Sequence, residues 1–139
     1  MITESNAVSI GREFFKMEKT VPVSAYYVSN LSKRSGDYFL VIFGEPNAST
    51  AIAAVDSNNG EVKINALLRG NGPQLNISKD KALEIVNANK DSKIEMVWSP
   101  GKLSHSQLYP IWKIYTAEGI LYVNQEGIVA GNLESEMRG

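Results

Sequence analysis

The sequence predicts an α+β fold built from two repeats, each with one helix packed on a three- or four-stranded antiparallel sheet. Three observations predict this fold. Residues 2–10 align without gaps to residues 77–85. Each aligned segment is followed by four stretches that are typical of strands, and each half closes with a turn that contains Asn and Gly. Such self-similarity predicts two copies of one helix-then-sheet unit.

The two aligned segments carry the signals of a helix start. The hydroxyl groups of Thr3 and Ser78 are placed to accept a hydrogen bond from a first-turn amide, so both residues are predicted N-caps. Apolar residues then follow at helical spacing. The residues expected to face the sheet are Ala7, Ile10, Phe14, Met17, Ala82, Ile85 and Val86.

After each helix the period of the sequence changes from that of a helix to that of a strand. The candidate strands are rich in aromatic and β-branched residues and are separated by turn formers. They span residues 25–29, 38–44, 50–56 and 61–66 in the first half and residues 93–99, 111–117, 120–124 and 128–132 in the second. The turns at residues 56–60 and 124–127 contain Asn and Gly, which suit the positive φ of a tight hairpin.

The segment between the halves is a predicted linker because it contains Gly70, Gly72 and Pro73. This interpretation divides the chain into a first repeat at residues 1–69, a linker at 70–76 and a second repeat at 77–139. A repeat of about 70 residues buries little surface by itself. The two repeats are therefore expected to form one compact unit.

The repeated pattern resembles the PepSY domain family. A capped Ile-Thr/Ser-x-x-x-Ala-x-x-Ile helix carries the resemblance in both halves, together with the closing hairpins at residues 55–62 and 122–127 and with Trp112 near the start of a strand. The resemblance implies a PepSY-like or cystatin-like fold. It also implies a role in binding or restraining peptidases, or in extracytoplasmic regulation, without catalytic residues to carry over.

Composition excludes several classes of function. The chain has 14 basic and 15 acidic residues, a net charge of -1, and no basic run that would follow a phosphate backbone, so no nucleic-acid partner is predicted. It contains no cysteine and one histidine, and no metal or other cofactor is predicted. No stretch approaches the roughly 20 apolar residues of a membrane span. The protein is expected to be cytoplasmic as its sequence stands, or extracytoplasmic if an export segment was removed.

The candidate binding residues lie in or beside the segment 99–110, which is longer than a hairpin connection requires. They are Ser104, His105, Ser106, Tyr109, Trp98 and Trp112. The single histidine and its neighbouring serines cannot by themselves align a nucleophile, a base and an orienting group, so no catalytic residue is predicted. Core positions are favoured over surface positions for Trp98 and Trp112, whereas Tyr109 suits either equally.

Two classes of function remain. The first is a non-catalytic module that binds a protein or peptide, of which a peptidase inhibitor or regulator is the form that the resemblance implies. The alternative is a small-molecule-binding or enzymatic domain with a cleft between helix and sheet. The first is favoured because the ionisable residues are spread along predicted helices and turns and do not converge. The oligomeric state is left open by the sequence.

Overall fold

The computed structural model describes residues 1–32 and 36–133 of the chain. The chain divides into two compact units, Met1–Gln74 and Leu75–Gly139. This division lies within the segment 70–76 that the sequence marks as a linker. The end of the predicted second repeat, residues 134–139, lies outside the described residues.

The first unit combines one helix with a four-stranded antiparallel sheet. Helix α1 (Glu4–Phe15) is followed by the strands β1 (Val23–Asn30), β2 (Tyr38–Glu45), β3 (Ala48–Asp56) and β4 (Val62–Leu67). The strands lie in the order β4-β3-β2-β1, and each neighbouring pair is antiparallel. Consecutive strands are therefore neighbours in space, as short hairpin connections require.

Helix α1 begins at a complete capping box. The Asn6 backbone N–H donates to the Thr3 hydroxyl over 3.1 Å, and the Thr3 N–H donates to the Asn6 side-chain oxygen over 3.1 Å. Two amide groups that the helix itself cannot satisfy are thus paired. The helix ends at Lys16, whose left-handed conformation (φ 56°) turns the chain out of the helix.

Small residues let α1 approach the sheet closely. Ala7 is fully buried, and a Cβ atom at Gly11 would lie 3.1 Å from the Phe43 ring. The helix packs on a cluster of buried side chains from β2 and β3. These side chains are Phe39, Val41, Phe43, Ala51, Ala53 and Val55.

The second unit holds a shorter helix and four further strands. Helix α2 (Lys79–Ile85) is followed by β5 (Ile94–Trp98), β6 (Ile111–Thr116), β7 (Gly119–Val123) and β8 (Val129–Ala130), in the order β5-β6-β7-β8. All neighbouring pairs of these strands are antiparallel. The Lys81 N–H donates to the hydroxyl of Ser78, which caps α2.

The predicted strand positions and N-caps are confirmed. All eight strands occur within two residues of the bounds expected from sequence, and Thr3 and Ser78 cap the two helices. These signals are local, since caps, period-two patterns and turn residues act within a few positions of the chain. Ala7 and Ala82 are buried as expected, and Ile10 packs on the core of the first unit.

The predicted fold class, α+β with two repeats of one helix on a three- or four-stranded sheet, is wrong. The described residues form a mostly-sheet structure with eight strands and only two helices. Helix α2 spans seven residues against twelve in α1, because the chain leaves the helix at Asn87, whose φ is 58°. The start signals at Thr3 and Ser78 indicate where each helix begins, but helix length depends on where the helix ends. No helix among the described residues is long and apolar enough to cross a membrane.

The predicted burial of Phe14 is also wrong, since its side chain is 48% exposed. Phe15 contacts the Phe43 ring at a centroid distance of 6.0 Å, and Phe14 lies edge-on to Phe15 at 5.1 Å. The face of α1 that packs on the sheet runs through Ala7, Gly11 and Phe15 at a spacing of four residues, so Phe14 lies to one side of it. The last turn of α1 therefore carries an exposed aromatic ring.

The two rings give a matched test of this packing. We expect Phe43→Ala to lower the free energy of unfolding by about 3–5 kcal/mol, because Phe43 is fully buried. Phe14→Ala removes an exposed edge contact and should cost about 0.5–1.5 kcal/mol. Urea unfolding of both variants measures the two values, and equal losses would contradict the docking of α1 described above.

The carboxylate of Asp56 allows a second test, because its ionisation makes the stability of the fold depend on pH. Burial raises the pKa of Asp56, but the hydrogen bonds from Lys63 and from the Asn58 and Asn59 amides, with the charge of Lys63, together lower it below its ordinary value. A lowered folded-state pKa stabilises the fold above the unfolded-state pKa of about 3.9, and this stabilisation disappears as the pH falls through the folded-state pKa.

We expect the free energy of unfolding to decrease as the pH is lowered from about 5 toward 2. Asp56→Asn should make this decrease shallower, since an amide does not titrate in this range. Lys63→Met should also make it shallower, because the lowered pKa depends on the ammonium 3.0 Å from the carboxylate. Denaturant unfolding at a series of pH values measures the slope, and the same slope in native protein and Asp56→Asn would refute the assignment.

Candidate functional site

The segment 99–110, which joins β5 to β6, forms a folded loop in the second unit. The Gly101 N–H donates to the Ser104 carbonyl over 3.2 Å, and these two residues form an isolated antiparallel bridge. The Tyr109 N–H donates to the Ser106 carbonyl over 3.0 Å. The loop thus has internal backbone bonds that a disordered connection would lack.

Ser104 lies at the centre of the loop and is 5% exposed. Its hydroxyl accepts a hydrogen bond from the Trp98 indole over 3.1 Å. The same hydroxyl lies 2.9 Å from the Ser106 carbonyl and 2.6 Å from the Tyr109 carbonyl, to either of which it can donate its proton. Ser104 and Trp98, both candidate site residues, are therefore buried parts of the loop's framework.

The buried carboxamides of Asn124 and Gln125, which follow β7, form hydrogen bonds with the loop. Asn124 donates to the Leu103 carbonyl over 3.0 Å, and its side-chain oxygen accepts the N–H groups of Glu126 and Ile128. Gln125 donates to the Pro110 carbonyl over 3.3 Å. One pair of side chains thus joins both arms of the loop to the turn after β7.

The Gln125 side-chain oxygen also accepts the Ile77 N–H over 2.9 Å, and the Trp112 indole donates to the Ile77 carbonyl over 2.7 Å. The chain that enters α2 is therefore fixed at both polar groups of Ile77. Trp112 is 7% exposed, so this candidate site residue belongs to the interior.

The sequence places Asn124 and Gln125 in a turn but does not predict their hydrogen bonds to the 99–110 loop. Two consecutive carboxamides at the end of an apolar strand, just before the turn at Gly127, were the available signal. Such side chains are buried only where hydrogen-bond partners are present. Their partners lie up to 48 positions away in the chain, so the sequence pattern could not identify them.

Three of the six candidate residues reach the surface of the loop. His105 is exposed, Tyr109 is 46% exposed and Ser106 is half-buried, with its hydroxyl accepting the Leu108 N–H over 3.1 Å. Together with neighbouring side chains they line a pocket of about 320 Å³. Besides these three residues, its wall includes Asn76, Lys102, Asn124 and Glu126.

The residues that line this pocket offer several kinds of polar group and one aromatic ring. An imidazole, a phenol, an ammonium group and a carboxylate surround it, so it can donate and accept hydrogen bonds and can pack an aromatic ring. Within residues 1–32 and 36–133, no group of three or more His, Asp or Glu side chains could hold a metal ion. The pocket is close to the lower limit of about 300 Å³ for small-molecule sites, a size that also suits one side chain of a partner.

A second, larger depression lies elsewhere on the same unit, between the C-terminal end of α2 and the hairpin that joins β6 to β7. Its volume is about 660 Å³. Apolar groups of Val86, Ile120 and Leu121 line it, together with the polar side chains of Asn87, Ser92 and Thr116. Its walls come from the segment that follows α2 and from the β6–β7 hairpin, and no residue of α2 itself lines it.

Comparisons of the chain with protein-family models, with curated proteins and with solved structures gave no match.

The framework role of Ser104 is testable with a matched neighbour. Ser104→Ala leaves the buried Trp98 indole without its acceptor and removes the hydroxyl proton that the Ser106 or Tyr109 carbonyl can accept, so we expect a loss of about 1–3 kcal/mol in the free energy of unfolding. Ser106→Ala removes one acceptor at a half-buried position and should cost about 0.5–1.5 kcal/mol.

Urea unfolding followed by tryptophan fluorescence measures both losses and reports the environment of Trp98. A loss for Ser104→Ala that is no larger than that for Ser106→Ala would contradict the central role of the Ser104 hydroxyl.

Proposed function

We propose that this chain is a non-catalytic protein- or peptide-binding module that engages its partner through the 99–110 loop, with Tyr109 as the anchor. The observation that carries the proposal is an exposed aromatic side chain on a loop whose backbone is tied to buried polar groups. Aromatic residues in such positions dominate the energetics of many protein interfaces.

The first support is the rigidity of the loop. The carbonyl of Tyr109 lies 2.6 Å from the buried Ser104 hydroxyl, and the carbonyl of Pro110 accepts from Gln125. A backbone that is fixed before binding loses little conformational entropy when the partner docks. The Tyr109 side chain therefore projects in a defined direction, and little conformational entropy is lost when a partner binds it.

The second support is the pocket beside the ring. A space of about 320 Å³ next to Tyr109 and His105 can receive one side chain of a partner while the phenol packs against that partner. A projecting ring and an adjacent depression are complementary features of one interface. The resemblance to the PepSY family favours a peptidase as the partner, with this chain as its inhibitor or regulator.

The cleft of about 660 Å³ beside Ile120 favours a second candidate, a small-molecule-binding domain. Its volume falls within the range of about 300–1,000 Å³ that is typical of ligand sites. Its wall mixes apolar and polar side chains, as ligand sites do. This candidate makes a different prediction, since its ligand would contact Ile120 and not Tyr109.

A photo-crosslinking amino acid placed at position 109 or at position 120 separates the two candidates. We expect the label at position 109 to capture one protein in the native cell, because the ring lies at the proposed interface. The label at position 120, which replaces the 40% exposed Ile120, is the matched control in the same unit. Capture of a small molecule at position 120, with no protein captured at position 109, would replace the proposed function by the second candidate.

The captured partner, once purified, allows the affinity to be measured. We expect Tyr109→Ala combined with His105→Ala to weaken binding about thirtyfold or more, the effect of removing an interface hot spot. The melting temperature should change little, because both side chains are exposed. Unchanged affinity together with a lowered melting temperature would assign the two residues to the framework and contradict the proposal.

A further inference from the structure

The sequence contains two Asn-Gly pairs, Asn59-Gly60 and Asn71-Gly72. In such a pair the side-chain carbonyl carbon of asparagine and the backbone nitrogen of glycine can close a five-membered ring, because glycine has no Cβ atom to hinder the approach. Asparagine is accordingly among the thermally labile residues of proteins. Whether the ring forms depends on how the surrounding structure holds each pair.

Hydrogen bonds hold the reacting groups of Asn59-Gly60. The Gly60 N–H, whose nitrogen would attack, donates to the Asp56 carbonyl over 2.9 Å. The Asn59 side-chain oxygen accepts the Glu61 N–H over 2.9 Å. Gly60 is also packed against the helix, since a Cβ atom at this position would lie 2.9 Å from the end of the Ile10 side chain. Ring closure at this pair must therefore break two hydrogen bonds inside a turn.

The second pair, Asn71-Gly72, lies in the segment between β4 and α2 and is more open. Asn71 is exposed, and a Cβ atom added at Gly72 would meet no atom within 4 Å. Within residues 1–32 and 36–133, no hydrogen bond involves the Asn71 carboxamide or the Gly72 N–H. The Gly72 nitrogen can therefore reach the Asn71 side chain without breaking a hydrogen bond of its own.

The residues on either side of Asn71 are anchored to one buried residue, Ser49, which is 4% exposed. The Gly70 N–H donates to the Ser49 carbonyl over 3.0 Å, and the Ser49 N–H donates to the Gly72 carbonyl over 3.1 Å. The Gln74 N–H donates to the Ser49 hydroxyl over 3.1 Å. Every second residue of the segment 70–74 is thus bound to Ser49 in β3, an arrangement that depends on the normal spacing of the backbone.

We infer that Asn71 is a site of spontaneous deamidation and that its isoaspartyl product releases the segment 70–74 from Ser49. The Gly72 nitrogen loses its proton to a solvent base and bonds to the Asn71 Cγ atom, while the Cγ–Nδ2 bond breaks and ammonia leaves. Water then opens the resulting succinimide ring at one of its two carbonyl groups, which gives aspartate or isoaspartate. One water molecule is consumed and one ammonia is released, so the reaction needs no oxidant and no cofactor.

Isoaspartate changes the backbone, whereas aspartate does not. In the isoaspartyl form the chain at position 71 runs through the Cβ and Cγ atoms, which adds one atom between the anchors at Gly70 and Gly72. Hydrogen bonds weaken steeply when their geometry is disturbed, so both anchors cannot keep their present bonds to Ser49. The inferred modification therefore loosens the segment that follows β4, and it does so with the age of the protein.

The two Asn-Gly pairs provide an internal comparison of rates. The full chain is kept at mildly alkaline pH, and peptide mapping by mass spectrometry follows deamidation at each pair. We expect Asn71 to react at least about tenfold faster than Asn59, because ring closure at Asn59 must break two hydrogen bonds. Gly72→Ala, for which the structure leaves room, should slow the reaction at Asn71. Equal rates at Asn59 and Asn71, or no reaction at Asn71, would overturn the inference.

Hydrogen exchange of the Ser49 and Gln74 amides tests the release of the segment. In the isoaspartyl form, separated from the aged chain by chromatography, both amides should exchange at least about tenfold faster than in the native chain. Asn71→Asp carries the charge of the product on an unchanged backbone, so its exchange should match that of the native chain. The same protection in the isoaspartyl form and in Asn71→Asp would contradict release from Ser49.

Discussion

In each unit, one buried polar side chain at the end of the third strand holds the turn that closes the sheet. The carboxylate of Asp56 accepts the N–H groups of Asn58 and Asn59, and the carboxamide of Asn124 accepts those of Glu126 and Ile128. Amide groups that leave a strand have lost their ladder partners, and leaving them unpaired costs free energy. The turns, and the segments that rest on them, depend on these two acceptors.

In the second unit this constraint extends to the surface proposed for binding. Asn124 reaches the Leu103 carbonyl, Gln125 reaches the Pro110 carbonyl, and the Ser104 hydroxyl lies between the Trp98 indole and the Tyr109 carbonyl. The buried side chains of Ser104, Asn124 and Gln125 thus find hydrogen-bond partners among the carbonyl groups of the loop, and these bonds also fix the loop backbone. The interior of the unit thus determines the direction in which Tyr109 projects, and the hydrogen bonds that stabilise the unit also fix the surface that is proposed to bind.

In the first unit the corresponding constraint is steric. Gly11 leaves room for the Phe43 ring, and the fully buried Ala7 lets the helix backbone lie close to β2 and β3. Close approach covers the middle of the sheet, while Phe14 at one end of the helix and Leu67 on the edge strand are left exposed. β4 lies at the edge of the sheet, so among the described residues no neighbouring strand covers its outer side.

The sequence by itself determined the elements of the protein. Local residue patterns predict the strand positions, the caps at Thr3 and Ser78 and the long 99–110 connection, because these residues act on their near neighbours in the chain. Only the tertiary structure decided that the fold is mostly sheet, that Phe14 is exposed, and that the Ser104 and Trp98 side chains are buried while the Tyr109 side chain is exposed. These outcomes depend on contacts between distant positions, such as Gln125 with Ile77, which are 48 residues apart. A local pattern specifies backbone shape, whereas burial depends on which remote side chains and carbonyl groups are within reach.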